Sequence, residues 1–229
     1  MLRSILSGGL TMQDALMEIL AVVMIVFLIL PLHELAHGFI AYKLGDNTAK
    51  NMGRLRFNPM AHVDPIGALM ILFVGFGWAK PVPVNPRNFK NPKTGMAITA
   101  LAGPLSNLLA AFVGAVLYYC CYVVVLKNSI SYEAWGLISL FFGYFISINV
   151  SLAVFNLIPI PPLDGSKILF AFLPDRIVYK FYQYEQICYM VLIILIFAGV
   201  LTGPLSFLQN TITSWILNLA YLPFSLLLK

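Results

Sequence analysis

The sequence predicts an all-α polytopic membrane protein of about five transmembrane helices with a small re-entrant β-hairpin. Three observations point there. Of the 229 residues, 60% are hydrophobic and only 10% charged, with mean hydropathy +0.88; soluble domains carry about 25% charged residues. Apolar segments approaching the ~20 residues that cross a bilayer recur along the chain. Between them, GALMILFVGFGWA (Gly67 to Ala79) is only 13 residues long, holds three glycines and runs into KPVPVNP, which suits an interfacial or re-entrant segment better than a span.

In order, helix 1 is expected from about Met12 to Leu44, with Asp14 near its start and Gly45 as its stop. The second runs from about Thr94 to Leu126 and the third from about Tyr132 to Leu157. A fourth lies between about Glu185 and Leu201. The last, about Leu205 to Leu227, carries Pro204 and Pro223 and is taken as a fifth span. No hydrophilic block reaches the roughly 50 residues of a separate soluble domain. One membrane domain is expected over 1–229, with a core at about 12–175 and additional helices at about 185–227. Asp14 and Glu18 precede the first apolar run, so this run is expected to be retained as a helix. The three cysteines, Cys120, Cys121 and Cys188, lie in apolar segments and read as small buried hydrophobes.

The net charge of +5 does not point to nucleic acid, because the basic residues are not interleaved with stacking aromatics on a polar surface. Eight of the fourteen fall between Lys43 and Lys93, against Asp46 and Asp64 alone. That asymmetry makes the loop cytoplasmic and the N-terminus external. His33 and His37 then lie in the cytoplasmic half of helix 1, at the depth where helix 3 ends.

Within LILPLHELAHGFIAY (28–42), two histidines and a glutamate interrupt an apolar helix. Each ionisable group in hydrocarbon costs at least ~2.5 kcal/mol on insertion scales. His33 and His37 are i and i+4, on one helix face, so both imidazoles can reach one zinc ion. Glu34 lies about 100° round the helix, placed to take a proton from a zinc-activated water. A hydrolytic zinc needs a third protein ligand. Asp14, Glu18 and Glu133 lie at outer helix ends; Asp164, closing FNLIPIPPLDG just past helix 3, is the candidate. Pro159, Pro161 and Pro162 should hold this arm extended, with Gly165 permitting a turn.

HELAH (33–37) and NLIPIPPLDG (156–165) resemble the two signature motifs of the site-2 protease family of intramembrane zinc metalloproteases. NPMAHVDPIG (58–67), GWAKPVPVN (77–85) and AGPLSN (102–107) are further matches, and the resemblance covers about residues 25–175. It implies one Zn2+ per chain held by His33, His37 and Asp164, with Glu34 as general base. It also implies hydrolysis of transmembrane protein substrates in the bilayer. Larger members insert a peptide-binding domain or append a regulatory one; this chain has neither and reads as a compact member. From that compactness we expect a bacterial inner-membrane location.

Several supporting residues keep two readings. Asn156 either contacts substrate or oxyanion, or bonds its own helix end. Asn107 either orients the site or packs; the small residues Gly103, Ala110, Ala111, Gly114 and Ala115 around it are expected to lie on helix 1. His62 is a transient ligand or a loop residue. Leu69 to Val84, with Gly75 and Gly77, is the candidate substrate-binding hairpin, by strand addition, or a plain interfacial loop. A metal-ion transporter and a catalytically silent scaffold are the rival functions.

Overall fold

The computed structural model describes residues 19–74, 77–126 and 131–225. Its elements are helices: α1 (Ile19–Lys43), α2 (Thr48–Asn51), α3 (Pro65–Val74), α4 (Pro92–Leu126), α5 (Tyr132–Asn156), α6 (Asp164–Phe170), α7 (Asp175–Gln183), α8 (Glu185–Phe197) and α9 (Thr202–Tyr221). Short 3-10 turns at Pro59–Ala61, Pro86–Asn88 and Leu222–Phe224 complete them.

Helices α1, α4 and α5 are long and apolar enough to cross a membrane. Their exposed side chains are large and apolar, Phe27, Leu109, Leu117 and Leu140 among them, as a lipid-facing surface requires. A fourth crossing is available only if α8 and α9, bent by 80° at their junction, count as one span. The expected fourth and fifth helices are therefore corrected to a single broken pair. Physically, α8 has 13 residues, about 20 Å at 1.5 Å per residue, against a hydrocarbon core of about 30 Å. Gly199, at φ +72°, takes a left-handed conformation open to glycine and ends that helix.

Helix α4 is the central element, packing against α1, α5, α6 and α9. Its ridge of small residues does not lie on α1 alone. Gly103 faces the α1 histidines, whereas Gly114 lies against Phe145 and Ile146, and Ala111 and Ala115 pack with Ile146, Val150 and Val154 of α5 and Ala220 of α9. The rotation of a 35-residue helix carries one side of it past successive neighbours. Cys120 is exposed and Cys121 and Cys188 are half-buried, all free, so the expectation of buried cysteines fails on an apolar surface that lipid covers.

The β-hairpin is absent from the described residues. Pro65–Val74 is helical, started by signals that the glycines obscured: Asp64 Oδ1 accepts the Gly67 N–H at 2.8 Å and Pro65 follows at the first helical position. From Gly77 the chain runs as an extended strap to Asn85, with one isolated antiparallel bridge between Ala79 and Val63. Pro81, Pro83 and Pro86 remove the N–H donors a second strand would need. Gly67 and Gly77 serve packing: a Cβ on Gly67 would meet the Trp78 backbone, and one on Gly77 the Gly67 carbonyl. Gly75 lies outside the described residues.

The proline arm before Asp164 is folded into turns rather than extended. Ile160 N–H bonds the Ile158 carbonyl at 2.9 Å, and Leu163 N–H bonds that of Ile160 at 3.0 Å. Gly165 lies inside α6, where a Cβ would run into the Leu157 and Ile158 carbonyls. Its bare backbone lets α6 abut the end of α5.

Candidate metal centre

Helix α1 changes register before it reaches the histidines. Residues Ile25–Ile29 form a π-helical turn, and Pro31, which lacks an N–H, follows directly. Beyond it a regular helix carries His33 and His37 on one face, both buried. Asp164, buried at the first position of α6, comes from 127 residues further along the chain.

The three side chains converge. His33 Nε2 and His37 Nε2 are 3.0 Å apart, and Asp164 Oδ2 lies 3.3 Å from the first and 3.1 Å from the second. Three donors on a tetrahedral zinc at 2.0–2.1 Å stand about 3.3 Å apart, so the triangle has the size a zinc ion demands. His37 Nδ1–H donates to the Thr99 carbonyl at 2.7 Å, which leaves the Nε2 lone pair turned toward the triangle. Two imidazole lone pairs and a carboxylate oxygen aimed at one point repel unless a cation lies between them. Gly103 of α4 completes the cradle: a Cβ there would meet His37 Nε2 and His33 Nε2 and Cε1. The donor set, its spacing and this gap fit zinc. His33 Nδ1, buried, has no hydrogen-bond partner among the described residues.

Glu34, half-buried, lies beside this group, and its Oε2 accepts the Val82 N–H at 2.8 Å. In Pro81-Val82-Pro83 that is the one N–H available. The strap bearing Val82 is held on both sides. Lys80 N–H donates to the His62 carbonyl at 2.8 Å, and Arg54 Nη2 donates to the Lys80 and Pro81 carbonyls at 2.8 and 3.2 Å. Asp46, fully buried just past α1, accepts from Asn85 N–H at 2.7 Å, from Asn88 Nδ2 at 2.7 Å and from Thr48 N–H at 3.0 Å. Burial pushes the Asp46 carboxyl up, but the bonds from Thr48, Asn85 and Asn88 outweigh it and hold the group below its ordinary range.

Among the described residues, the ligand group consists of His33, His37 and Asp164, and the remaining candidates make other contacts. His62 is buried, with Nε2 donating to the Arg56 carbonyl at 3.2 Å, and burial pulls its pKa below the ordinary value. Asn156 turns its amide back to the Leu152 carbonyl at 3.0 Å. Asn107 lies one turn beyond Gly103 on α4, fully buried, with neither amide atom partnered among the described residues. Gly103, Thr99 and Val82 are site residues that the sequence reading does not assign a role at the metal. Two act through backbone atoms and the third through a missing side chain; Gly103 and Val82 fall inside the matching stretches AGPLSN and GWAKPVPVN, which point to the segments but not to these roles, and Thr99 carries no such signal.

The profile of peptidase family M50 matches residues 20–199. The chain belongs to this family. The Bacillus subtilis protein named "Putative zinc metalloprotease YwhC" is 42% identical over 168 residues, 72% of this chain and 74% of that protein. "Putative zinc metalloprotease MJ0611" of Methanocaldococcus jannaschii is 33% identical over 138 residues, 60% of this chain and 62% of its own length. "Putative zinc metalloprotease Rip2" of Mycolicibacterium smegmatis is 28% identical over 143 residues, 58% and 50% respectively. No solved structure matches. Membership of M50 and these names support a zinc metalloprotease with Zn2+ as cofactor, in a multi-pass membrane protein.

Proposed function

We propose that the protein is an intramembrane zinc metalloprotease that hydrolyses peptide bonds in or near transmembrane segments of membrane-protein substrates. The observation that carries this is the triangle of His33, His37 and Asp164 beside Glu34, with both histidines and the glutamate on a helix long and apolar enough to cross a membrane. His33 and His37 through Nε2 and Asp164 through Oδ2 would hold the metal. Bound there, zinc supplies Lewis acidity, which lowers the pKa of water and polarises a carbonyl. Glu34 is the general base. Val82 N–H occupies Oε2 and fixes the carboxylate's orientation, so Oε1 takes the proton of the attacking water and returns it to the leaving amine. Helix α4 closes the inner side with Gly103, Thr99 fixes the His37 ring, and the surrounding apolar residues restrict water. Asn107, whose buried amide lacks a partner among the described residues, is the better supported donor to a developing oxyanion; Asn156 is engaged with its own helix. His62 has the character of an accessory loop residue. The charge of the 43–93 loop supports an N-terminus outside and a site toward the cytoplasm, and the reading keeps the expected bacterial inner membrane as the location.

Two substitutions test this. Glu34→Gln should abolish cleavage of a co-expressed transmembrane substrate while zinc content stays near one per chain; Asp164→Ala should lose the zinc. Full cleavage by Glu34→Gln would remove the mechanism. Retained transport of metal by that variant would favour a transporter, and indifference to it a silent scaffold.

A further inference from the structure

Asp164 presents two oxygens, and only Oδ2 faces the histidines. Its Oδ1 is taken by the Lys167 ammonium at 3.0 Å, one turn along α6. We propose that Lys167 is a positioning residue that occupies Oδ1 and limits Asp164 to a single ligand atom, keeping one coordination position open for the reaction. The proposal rests on the reading that His33, His37 and Asp164 hold zinc.

Carboxylates bind zinc through one oxygen or both. A catalytic zinc keeps three protein ligands and an open fourth position, so a second oxygen from Asp164 would fill the place that water and substrate need. Nothing in the aspartate itself prevents this. The i, i+3 spacing of Asp164 and Lys167 sets their side chains on one face of α6, and a charge-assisted bond to a carboxylate whose side chain is only 7% exposed is strong enough to hold the oxygen. The ammonium reaches it from a side chain that is itself partly exposed. Lys167 lines a cavity of about 350 Å3 with Pro86, Met96, Phe170 and Tyr182. Lys93, the other cation on that wall, is engaged with Asp175 Oδ1 and the Leu173 carbonyl, both at 2.7 Å. Lys167 is thus the cation left to Asp164.

The test uses the full chain purified in detergent, stripped of metal and reloaded with Co2+, whose visible absorption is strong in four-coordinate sites and weak in five-coordinate ones. Wild type and Lys167→Arg, which keeps a donor on Oδ1, should give the strong four-coordinate spectrum. Lys167→Met should give the weak five-coordinate spectrum with metal still near one per chain, and cleavage lowered about 10–100-fold. A four-coordinate spectrum for Lys167→Met, loss of its metal, or a five-coordinate one for Lys167→Arg would each overturn the proposal. Should Lys167→Met fail to accumulate, Lys167→Ala is read by the same spectrum. If only Lys or Arg at 167 yields folded chain, the residue serves folding and the proposal falls. Failure of the underlying metal reading looks different: wild type takes up no cobalt, or Asp164→Ala keeps the wild-type spectrum.

Discussion

Gly103 puts the strongest constraint on any single residue of the centre. Glycine inside a helix costs about 1 kcal/mol relative to alanine, so Gly103→Ala should stabilise α4 locally. The added methyl, however, would enter the space between His33 Nε2 and His37 Nε2, and moving two buried rings is harder than moving one flexible chain end. We expect Gly103→Ala to fold with an unchanged helical circular-dichroism spectrum while its zinc content drops to a small fraction of one per chain. Metal analysis of the purified variant checks this, and full zinc occupancy would mean that Gly103 does not border the ion. The ligands themselves were legible, because the i, i+4 histidines and the aspartate after the prolines are side-chain chemistry in a chain with few polar residues to choose from. Gly103 was visible as a small residue, but its partner was not, since a missing Cβ names no neighbour.

The strap from Gly77 to Asn85, with the 3-10 turn Pro86–Asn88 that follows it, is the element whose role the sequence concealed. Asp46 is its anchor, and the shifted acidity of that carboxyl gives the anchor a pH dependence. Its folded pKa lies below the unfolded value near 3.9, so the unfolded chain binds the proton more readily. The contribution is complete above the ordinary carboxylate range and is lost as pH falls through the folded value. Asp46→Ala leaves the Asn85 and Thr48 amides and the Asn88 side chain without their acceptor, at a cost of about 2–4 kcal/mol. The thermal midpoint of the variant should therefore fall below wild type at pH 7, with the gap closing as pH drops below about 4. A gap independent of pH would assign the effect to packing alone. His62, held below its ordinary value by burial, titrates in the unfolded chain near pH 6.5; that stability loss, on acidifying through pH 6.5, is common to both proteins and cancels in the difference. Element type in this region differs from the expected hairpin for a definite reason. Three glycines and a short apolar run point to a re-entrant segment but do not fix its type, whereas the N-cap Asp64 and Pro65 decide the start of α3, and three prolines leave the strap too few donors to pair as a strand.

At the scale of the whole molecule, both ends of α4 and α5 and the end of α1 fall within a few residues of their expected bounds, because a span is set by length and hydropathy alone; the expected start of α1 lies outside the described residues. The broken pair of α8 and α9 was not, since a bend at Gly199 depends on what α9 packs against; Gln209 Nε2 donates to Ser147 Oγ of α5 at 2.8 Å, and Ala220 joins the α4–α5 core. That packing holds α9 against α4 and α5, and α8, too short to cross, meets it at a bend of 80°. Orientation in the membrane follows from charge instead. The basic loop between α1 and α4 holds the strap and Lys90, while Glu133 starts α5 at the opposite end of the crossing. If the loop is cytoplasmic, an impermeant maleimide added to intact cells should label a cysteine at Glu133 and spare one at Lys90, in a background with Cys120, Cys121 and Cys188 replaced. Permeabilised cells should label both. The reverse pattern would turn the protein over and place the metal centre toward the outer face, where Lys93 and Lys167 would lie against the positive-inside preference that governs short loops.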